Sequence, residues 1–223
     1  MKREIIQTAD GSTTIHLPEW EESYHSKHGA IQEAYHVFIT NGFSLFKGKP
    51  VSVLEIGFGT GLNAFITYLE SKKNNQNVTY TAIEAYPVAF EEAMHMNYVK
   101  ELDINEQLAF ELLHQCDWEM KNAVNDDFEL TKHQQFFQDI TTVNTYDLIY
   151  FDAFGYRVQP ELWSETIFAK MYQALKPGGI LVTYACRTII KNAMLSAGFS
   201  VEKLPGAPGK REMLRASKAI IKI

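Results

Sequence analysis

Leu54-Glu55-Ile56-Gly57-Phe58-Gly59-Thr60-Gly61-Leu62-Asn63 decides how the rest of this chain is read. The residues before it, Val51-Ser52-Val53-Leu54-Glu55-Ile56, are strand-like, and Leu62 to Leu69 after it reads as a helix. Glycines at such a junction let the backbone turn tightly and approach a ligand without a Cβ in the way. The helix that follows offers free N–H groups and a partial positive charge at its N-terminus. The glycines fall at the first, third and fifth places of the loop, and Leu62 holds the sixth, where a dinucleotide fingerprint needs glycine. The loop therefore departs from the NAD form.

Working outward, strands alternate with helices. Val78 to Glu84 is a second strand and Val88 to Met96 a second helix. Tyr146 to Asp152 is an almost wholly apolar strand, as expected when both faces are covered. Trp163 to Leu175 reads as a helix stopped by Lys176-Pro177-Gly178-Gly179, Ile180 to Tyr184 as a strand, and Thr188 to Ala197 as a helix stopped by Gly198. Phe199 to Leu204 and Arg211 to Ala216 suit a final antiparallel pair. Upstream, Thr8 to Ser12 is a turn, Thr13 to Leu17 a short strand, and Ala30 to Asn41 a helix burying Ala34, Val37 and Phe38. Glu101 to Gln138 is the least legible stretch, with room for a helix and a short strand near Phe136-Phe137. The alternation predicts an α/β fold with a mostly parallel, doubly wound Rossmann-like sheet and a C-terminal antiparallel strand pair.

Composition bounds the class. The chain has 223 residues, 46% hydrophobic and 22% charged, which are ordinary globular values and enough for a sizeable core. Two cysteines, Cys116 and Cys186, exclude a disulfide framework and are too few for a Cys-rich zinc site. No apolar run approaches the roughly 20 residues needed to span a bilayer. The polar start, Met1-Lys2-Arg3-Glu4, lacks a signal-peptide core, so a cytoplasmic location and no membrane partner are expected. A net charge of −6 argues against a general nucleic-acid coat. Between Lys203 and Lys222, however, Lys203, Lys210, Arg211, Arg215, Lys218 and Lys222 face only Glu212, which suits either a solvated edge or a phosphate-contacting patch.

Three acids choose the ligand. Glu55 precedes the glycine loop, a poor neighbour for pyrophosphate but a good one for a cationic amino-acid end. Glu84 ends the second strand, where a carboxylate accepts from both hydroxyls of a ribose. Asp139 precedes the next strand and would face an adenine amino group, or stand as an exposed loop acid. A ligand with a ribose, positive charge and little phosphate is S-adenosylmethionine. Glu55, Gly57, Phe58, Gly59, Gly61, Asn63, Glu84 and Asp139 are the expected cofactor residues. Asp152 ends its strand at the carboxyl edge of the sheet, where ligands of such folds sit. It is the candidate catalytic residue, with capping of the next helix as its alternative role.

The loop resembles class I methyltransferases, and the whole chain resembles one family more closely. Tyr24-His25-Ser26, Gly29-Ala30 with Glu33, His36-Val37-Phe38, Phe151-Asp152-Ala153-Phe154, Pro160-Glu161-Leu162-Trp163-Ser164, Lys176-Pro177-Gly178-Gly179 and Gly209-Lys210-Arg211-Glu212-Met213-Leu214 are similar, in this order, to the tRNA 5-methylaminomethyl-2-thiouridine methyltransferases: MnmD and the methyltransferase half of bifunctional MnmC. The similarity spans residues 8 to 216. It implies methylation of the primary amine of 5-aminomethyl-(2-thio)uridine at the tRNA wobble position. It also implies residues 1–48 as an N-terminal extension on the lid and substrate side and 49–223 as the methyltransferase domain. The flavin-dependent oxidase of the bifunctional relatives has no room here and no dinucleotide fingerprint, so methylation alone is expected. Where relatives often carry a Pro-Ala-Lys-type segment, this chain has Gly155-Tyr156-Arg157-Val158-Gln159.

Roles follow from the chemistry of the implied reaction. An alkylammonium has no lone pair, so the acceptor must lose a proton, and Asp152 is the group to orient it and accept that proton. Tyr24, His25, Phe154, Lys210 and Arg211 are the expected substrate contacts. One of Tyr24, Phe154, Tyr156 and Trp163 would stack on the target base, and Lys210, Arg211 and Arg215 would meet tRNA phosphates. His25 and His28 lack a third metal ligand, so no metal is expected. Three other readings remain: a spermidine-synthase-like aminopropyltransferase, a small-molecule amine methyltransferase, and a non-catalytic S-adenosylmethionine-binding module.

Overall fold

Polar turn residues and short alternating runs at the N-terminus build a small antiparallel sheet from β1 (Glu4–Gln7), β2 (Thr13–Leu17) and β3 (Glu22–Ser23). The structure, a computed structural model, describes residues 2–220, so the expectation for Lys222 lies outside the described residues. Helix α1 (Ala30–Ala34) runs directly into a π-helical stretch, Tyr35–Thr40. The sequence predicts one regular helix here. The widened turn coincides with three consecutive buried residues, Val37, Phe38 and Ile39, which a regular turn would spread around the helix.

The central sheet begins with β4 (Val51–Ile56), followed by α2 (Leu62–Asn74), β5 (Val78–Glu84) and three helices: α3 (Phe90–Ala93), α4 (Tyr98–Glu101) and α5 (Gln107–Gln115). Next come β6 (Lys121–Ala123), β7 (Phe128–Gln134), β8 (Tyr146–Phe151), α6 (Glu165–Ala174), β9 (Leu175–Thr183), α7 (Thr188–Ser196), β10 (Ser200–Pro205) and β11 (Glu212–Ser217). The strand order is β10-β11-β9-β8-β4-β5-β7-β6. Strands β9, β8, β4, β5 and β7 pair in parallel, while β6, β11 and β10 are antiparallel to their neighbours. The expected fold class holds, C-terminal pair included.

Strand parity sorts the core into two faces. Val53, Tyr80, Leu130, Leu148 and Tyr150 pack with Phe65 of α2, Phe110 of α5 and Phe38 of the N-terminal segment. Leu54, Ile56, Ile83, Ile149 and Phe151 pack with Phe168 of α6 and Ile190 of α7. Ile15, Leu17, Ala30 and Val37 belong to the first of these clusters, so the N-terminal segment that carries them shares the core of the main sheet.

Two expectations need correction. The illegible stretch holds a full parallel strand, β7, ending before Phe136, and Phe137–Asp139 is only a single 3-10 turn. The alternation in β7 is masked because its buried position 132 is a lysine. Lys132 is 0% exposed, and its Nζ donates to the carbonyls of Leu113 and His114 at 2.9 Å each, capping α5, while lying 4.9 Å from the centre of the Trp118 ring. Lys176-Pro177-Gly178-Gly179 does not precede β9 but lies within it, at a register shift against β8 between Tyr146 and Leu148.

Candidate active site

The strand order reverses at β4: the chain passes from β4 to β5 on one side and returns to β8 on the other. Loops leaving β4 and β8 at their carboxyl ends therefore diverge and open a crevice. Gly57 leaves one and Asp152 the other. A Cβ on Gly57, whose φ is +91°, would lie 2.7 Å from the Asp152 carbonyl oxygen, so the two loops approach as closely as glycine allows. Gly59 (φ +51°) and Gly61 (φ +73°) carry the turn into α2, and Gly61 packs beneath it against His114 and Phe58.

A cavity of about 290 Å³ opens here. Of the residues singled out from the sequence, Gly57, Phe58, Gly59, Asn63, Glu84, Asp152, Tyr24, His25 and Phe154 line it. The Glu84 carboxyl accepts from the Gly59 amide (3.1 Å) through Oε2 and from the Tyr86 amide (3.0 Å) through Oε1. It thus ties the glycine loop to the end of β5. Tyr86, 66% exposed, meets Phe136 edge-on across the rim at 6.0 Å. Neither is singled out from the sequence, although Tyr86 stands two residues past the strand-end acid.

The N-terminal segment covers the other side. Tyr24 and Trp20 meet Phe154 edge to face, at 5.0 and 5.6 Å. Arg157 Nη2 donates to the Trp20 carbonyl (2.6 Å) and lies 3.6 Å from Glu22 Oε2, so the departure from the relatives' segment supplies a clamp on this cover. His25 shares a hydrogen bond with Thr14 Oγ1 (2.9 Å), and burial pushes its pKa down to about 4, leaving it neutral. Trp163, a candidate for base stacking, is buried and donates Nε1–H to the Phe154 carbonyl (2.8 Å), so its ring is committed to the core. Tyr156 carries the Arg187 guanidinium on its face.

Asp152 sits at the cavity floor with its backbone N–H donated to Ile56 O (3.0 Å). The Tyr184 hydroxyl donates to the next carbonyl, Ala153 O, at 2.9 Å. Asn63 Nδ2, from the first turn of α2, donates to Asp152 Oδ2 at 2.8 Å. Enclosure first, then nearby Glu33, against the opposing pull of Asn63 and Lys210, raises the Asp152 pKa to about 7. A carboxyl that titrates near neutrality can both accept and return a proton. This is the chemistry the pocket provides.

The other expected side chains, Glu55, Asp139, Lys210 and Arg211, are not part of the cavity wall. Glu55 is 0% exposed and does not line the cavity. Strand parity points it, with Val53, at the face covered by α2 rather than at the ligand crevice. Asp139 is exposed at the end of its 3-10 turn, and Phe137 and Gln138 line the wall in its place. Lys210 is ion-paired with Glu33, its Nζ 4.0 Å from the centre of the Tyr184 ring, whereas Arg211 is exposed. The basic stretch is less free than its sequence suggests, because Glu202 also pairs Arg215 and Glu212 pairs Lys203. Among the described residues no cluster of metal-ligating side chains exists, and no helix is long and apolar enough to cross a membrane.

The chain is 29% identical, over 94% of its length, to the tRNA 5-methylaminomethyl-2-thiouridine biosynthesis bifunctional protein MnmC of Cupriavidus metallidurans, and covers 33% of that protein. The MnmC of Leptospira borgpetersenii is 26% identical over 87% of the chain, which covers 32% of it. The chain thus spans about a third of the length of these curated relatives. The crystal structure of MNMC2 from Aquifex aeolicus superposes with a TM-score of 0.78 over the whole chain and 73% of that protein, at 21% identity. The spermidine synthase of Thermotoga maritima superposes at 0.60, over 98% of this chain and 69% of that one, at 15% identity, a likeness of fold alone. A family model described as S-adenosyl-L-methionine-dependent methyltransferase matches residues 89–219, from α3 to the last strand of the sheet, β11. With more than half of its length matched, this chain belongs to that family of S-adenosyl-L-methionine-dependent methyltransferases.

Proposed function

We propose that this protein methylates the primary amine of 5-aminomethyl-(2-thio)uridine at the wobble position of tRNA, and that Asp152 serves the acceptor amine. The observation that carries the reading is the Asp152 carboxyl itself, at the floor of the cofactor cavity with a pKa near neutrality. The tRNA substrate is favoured by relatives that carry that modification in their names and align along almost the whole chain.

The cavity fits S-adenosylmethionine. Its glycine loop leaves no room for side chains at Gly57. The Glu84 carboxylate, anchored by two backbone amides, keeps lone pairs for ribose hydroxyls. Glu84, Gly57, Gly59 and Phe58 would hold the cofactor, with Tyr86 and Phe136 flanking the base. When bound, S-adenosylmethionine supplies an electrophilic methyl carbon.

The remaining work belongs to the chain. A free alkylamine has a pKa of about 10.4, and an ordinary aspartate one of about 3.9, a gap that makes proton transfer uphill by about 9 kcal/mol. Asp152 closes nearly half of that gap by its own raised pKa, and desolvation of the ammonium closes more. The carboxylate takes one proton from the ammonium, leaving a neutral amine held in place by the resulting hydrogen bond. Tyr184 and Trp163 fix the Asp152–Phe154 loop through its carbonyls, so the amine is oriented by a rigid floor. Tyr24 and Phe154 form the aromatic edge against which an extruded uridine would stack. The N-terminal segment acts as the cover on the substrate side.

The test is transfer of labelled methyl from S-adenosylmethionine to tRNA from cells lacking this gene, read by nucleoside mass spectrometry. One added methyl on 5-aminomethyluridine species supports the proposal. Label in putrescine or other small amines but not in tRNA would replace it with a small-molecule methyltransferase.

A further inference from the structure

Below the cavity floor lies a buried polar cluster that the reaction as described does not use. Glu55 of β4, Asn63 of α2 and Tyr80 of β5 are all buried. Both carboxyl oxygens of Glu55, Oδ1 of Asn63 and the hydroxyl of Tyr80 make no hydrogen bond of good geometry within the protein, although Tyr80 and Asn63 stand directly against the Glu55 carboxyl. Four orphaned polar atoms in one cluster are exceptional, since buried polar groups are nearly always paired. Asn63 is nonetheless anchored on its other side, donating Nδ2–H to Asp152 at 2.8 Å.

The charge of Glu55 decides how the orphans are met. As a carboxylate, Glu55 is an acceptor only. It would draw Tyr80 O–H and the Asn63 amide hydrogen not given to Asp152, and leave Asn63 Oδ1 unmet. As a carboxylic acid it meets all four atoms at once. Tyr80 O–H donates to the Glu55 carbonyl oxygen, and Glu55 O–H donates to Asn63 Oδ1. The Asn63 amide is then fixed with Nδ2 toward Asp152. The groups facing Glu55 support the neutral form: Asp152 and Tyr150 from β8 and its end, Tyr80 and Glu84 from β5, and Asn63 from α2. These are acids, phenols and an amide, with no cation to balance an ionised Glu55. Burial, followed by the proximity of Asp152, accordingly pushes its pKa well above the ordinary carboxylate range.

We propose that Glu55 is an un-ionised positioning residue whose acid proton holds the Asn63 amide, and through it the Asp152 carboxylate, and that it does not bind the cofactor. This rests on the role proposed for Asp152, but its test does not require the tRNA substrate.

Glu55→Gln keeps the shape and both hydrogen bonds, because its amide N–H donates to Asn63 Oδ1 and its carbonyl accepts from Tyr80. Glu55→Leu keeps the volume and removes both. Calorimetry with S-adenosylmethionine should give Glu55→Gln a Kd within about twofold of wild type, since no charge is lost from the cofactor site. The melting temperature of Glu55→Gln should exceed that of wild type by a margin that widens as pH rises above the ordinary carboxylate pKa of about 4.3. The sign is fixed because the folded chain holds a proton that the unfolded chain releases. Glu55→Leu, where it folds, should keep its Kd while kcat falls about tenfold or more at little-changed KM. A Kd weakened tenfold or more in Glu55→Gln would return Glu55 to the cofactor. A melting-temperature margin that stays flat with pH would mean Glu55 is ionised, and either result overturns the proposal. Both readouts stand if tRNA proves not to be the acceptor, so the two failures are distinguishable.

Discussion

Replacing Asp152 with asparagine should stabilise this protein while disabling it, and the gain should depend on pH in a calculable way. Asp152 titrates near 3.8 in the unfolded chain and at about 7 when folded, because the cavity floor desolvates it and Glu33 stands nearby. The folded state therefore binds this proton more tightly. The stability contributed by the neutral form is fully present below about 3.8 and declines as pH rises toward about 7, beyond which it is flat. About three units at about 1.36 kcal/mol each set a ceiling of about 4 kcal/mol. The cavity opens to solvent, which screens the charge, so about 2 kcal/mol is expected at pH 8. The variant's amide would carry no such burden and would still accept from Asn63 Nδ2 through its carbonyl oxygen. In urea denaturation across this range, wild type and Asp152→Asn should have nearly equal stability near pH 4, diverge up to about pH 7, and stay parallel above it. For a chain of this size the gap corresponds to about 4–8 °C in melting temperature. Turnover should fall at least about a hundredfold, with S-adenosylmethionine affinity little changed. A variant no more stable than wild type at pH 8, relative to pH 4, would refute the claim that this carboxylate is held against its ionisation.

Other outcomes follow from single contacts. For wild type, kcat/KM should rise about tenfold per pH unit below about pH 7 and then level, since only the ionised Asp152 takes a proton; an acidic limb centred near 4 would remove Asp152 from that role. Glu84→Ala should weaken S-adenosylmethionine binding about 10- to 100-fold by calorimetry, because it removes the carboxylate and frees the Gly59 and Tyr86 amides that it holds. Gly57→Ala should lose about 2 kcal/mol or more of stability together with cofactor binding, because its Cβ would meet backbone, the Asp152 carbonyl oxygen, at 2.7 Å in a left-handed conformation. Lys132→Met should cost about 1–3 kcal/mol in urea denaturation by orphaning the α5 carbonyls of Leu113 and His114; an unchanged midpoint would show that this capping carries no weight.

The order of strands and helices, the glycine loop and the strand-end acids Glu84 and Asp152 could be read from the chain because each is a local pattern. Apolar runs, glycines requiring positive φ, and a carboxyl at the end of a strand need only nearest neighbours to be recognised. The illegible stretch failed for the same reason: β7 carries a buried lysine, and what neutralises its burial cost is the end of a helix about 19 residues away in sequence. The likeness of Glu55 to a ligand-binding acid is also local, yet strand parity turns it to the α2 face beside Tyr80 and Asn63. Asp139 satisfied a spacing rule, but the 3-10 turn presents Gln138 to the cavity and leaves the acid in solvent. The basic stretch looked unopposed because Glu33, its partner for Lys210, is 177 residues away. The sequence by itself determined the sheet, the crevice at its switch point and the carboxyl that stands there. Only the tertiary structure decided which acids are ionised and which face the ligand, because those properties depend on desolvation and on charges brought together from distant parts of the chain.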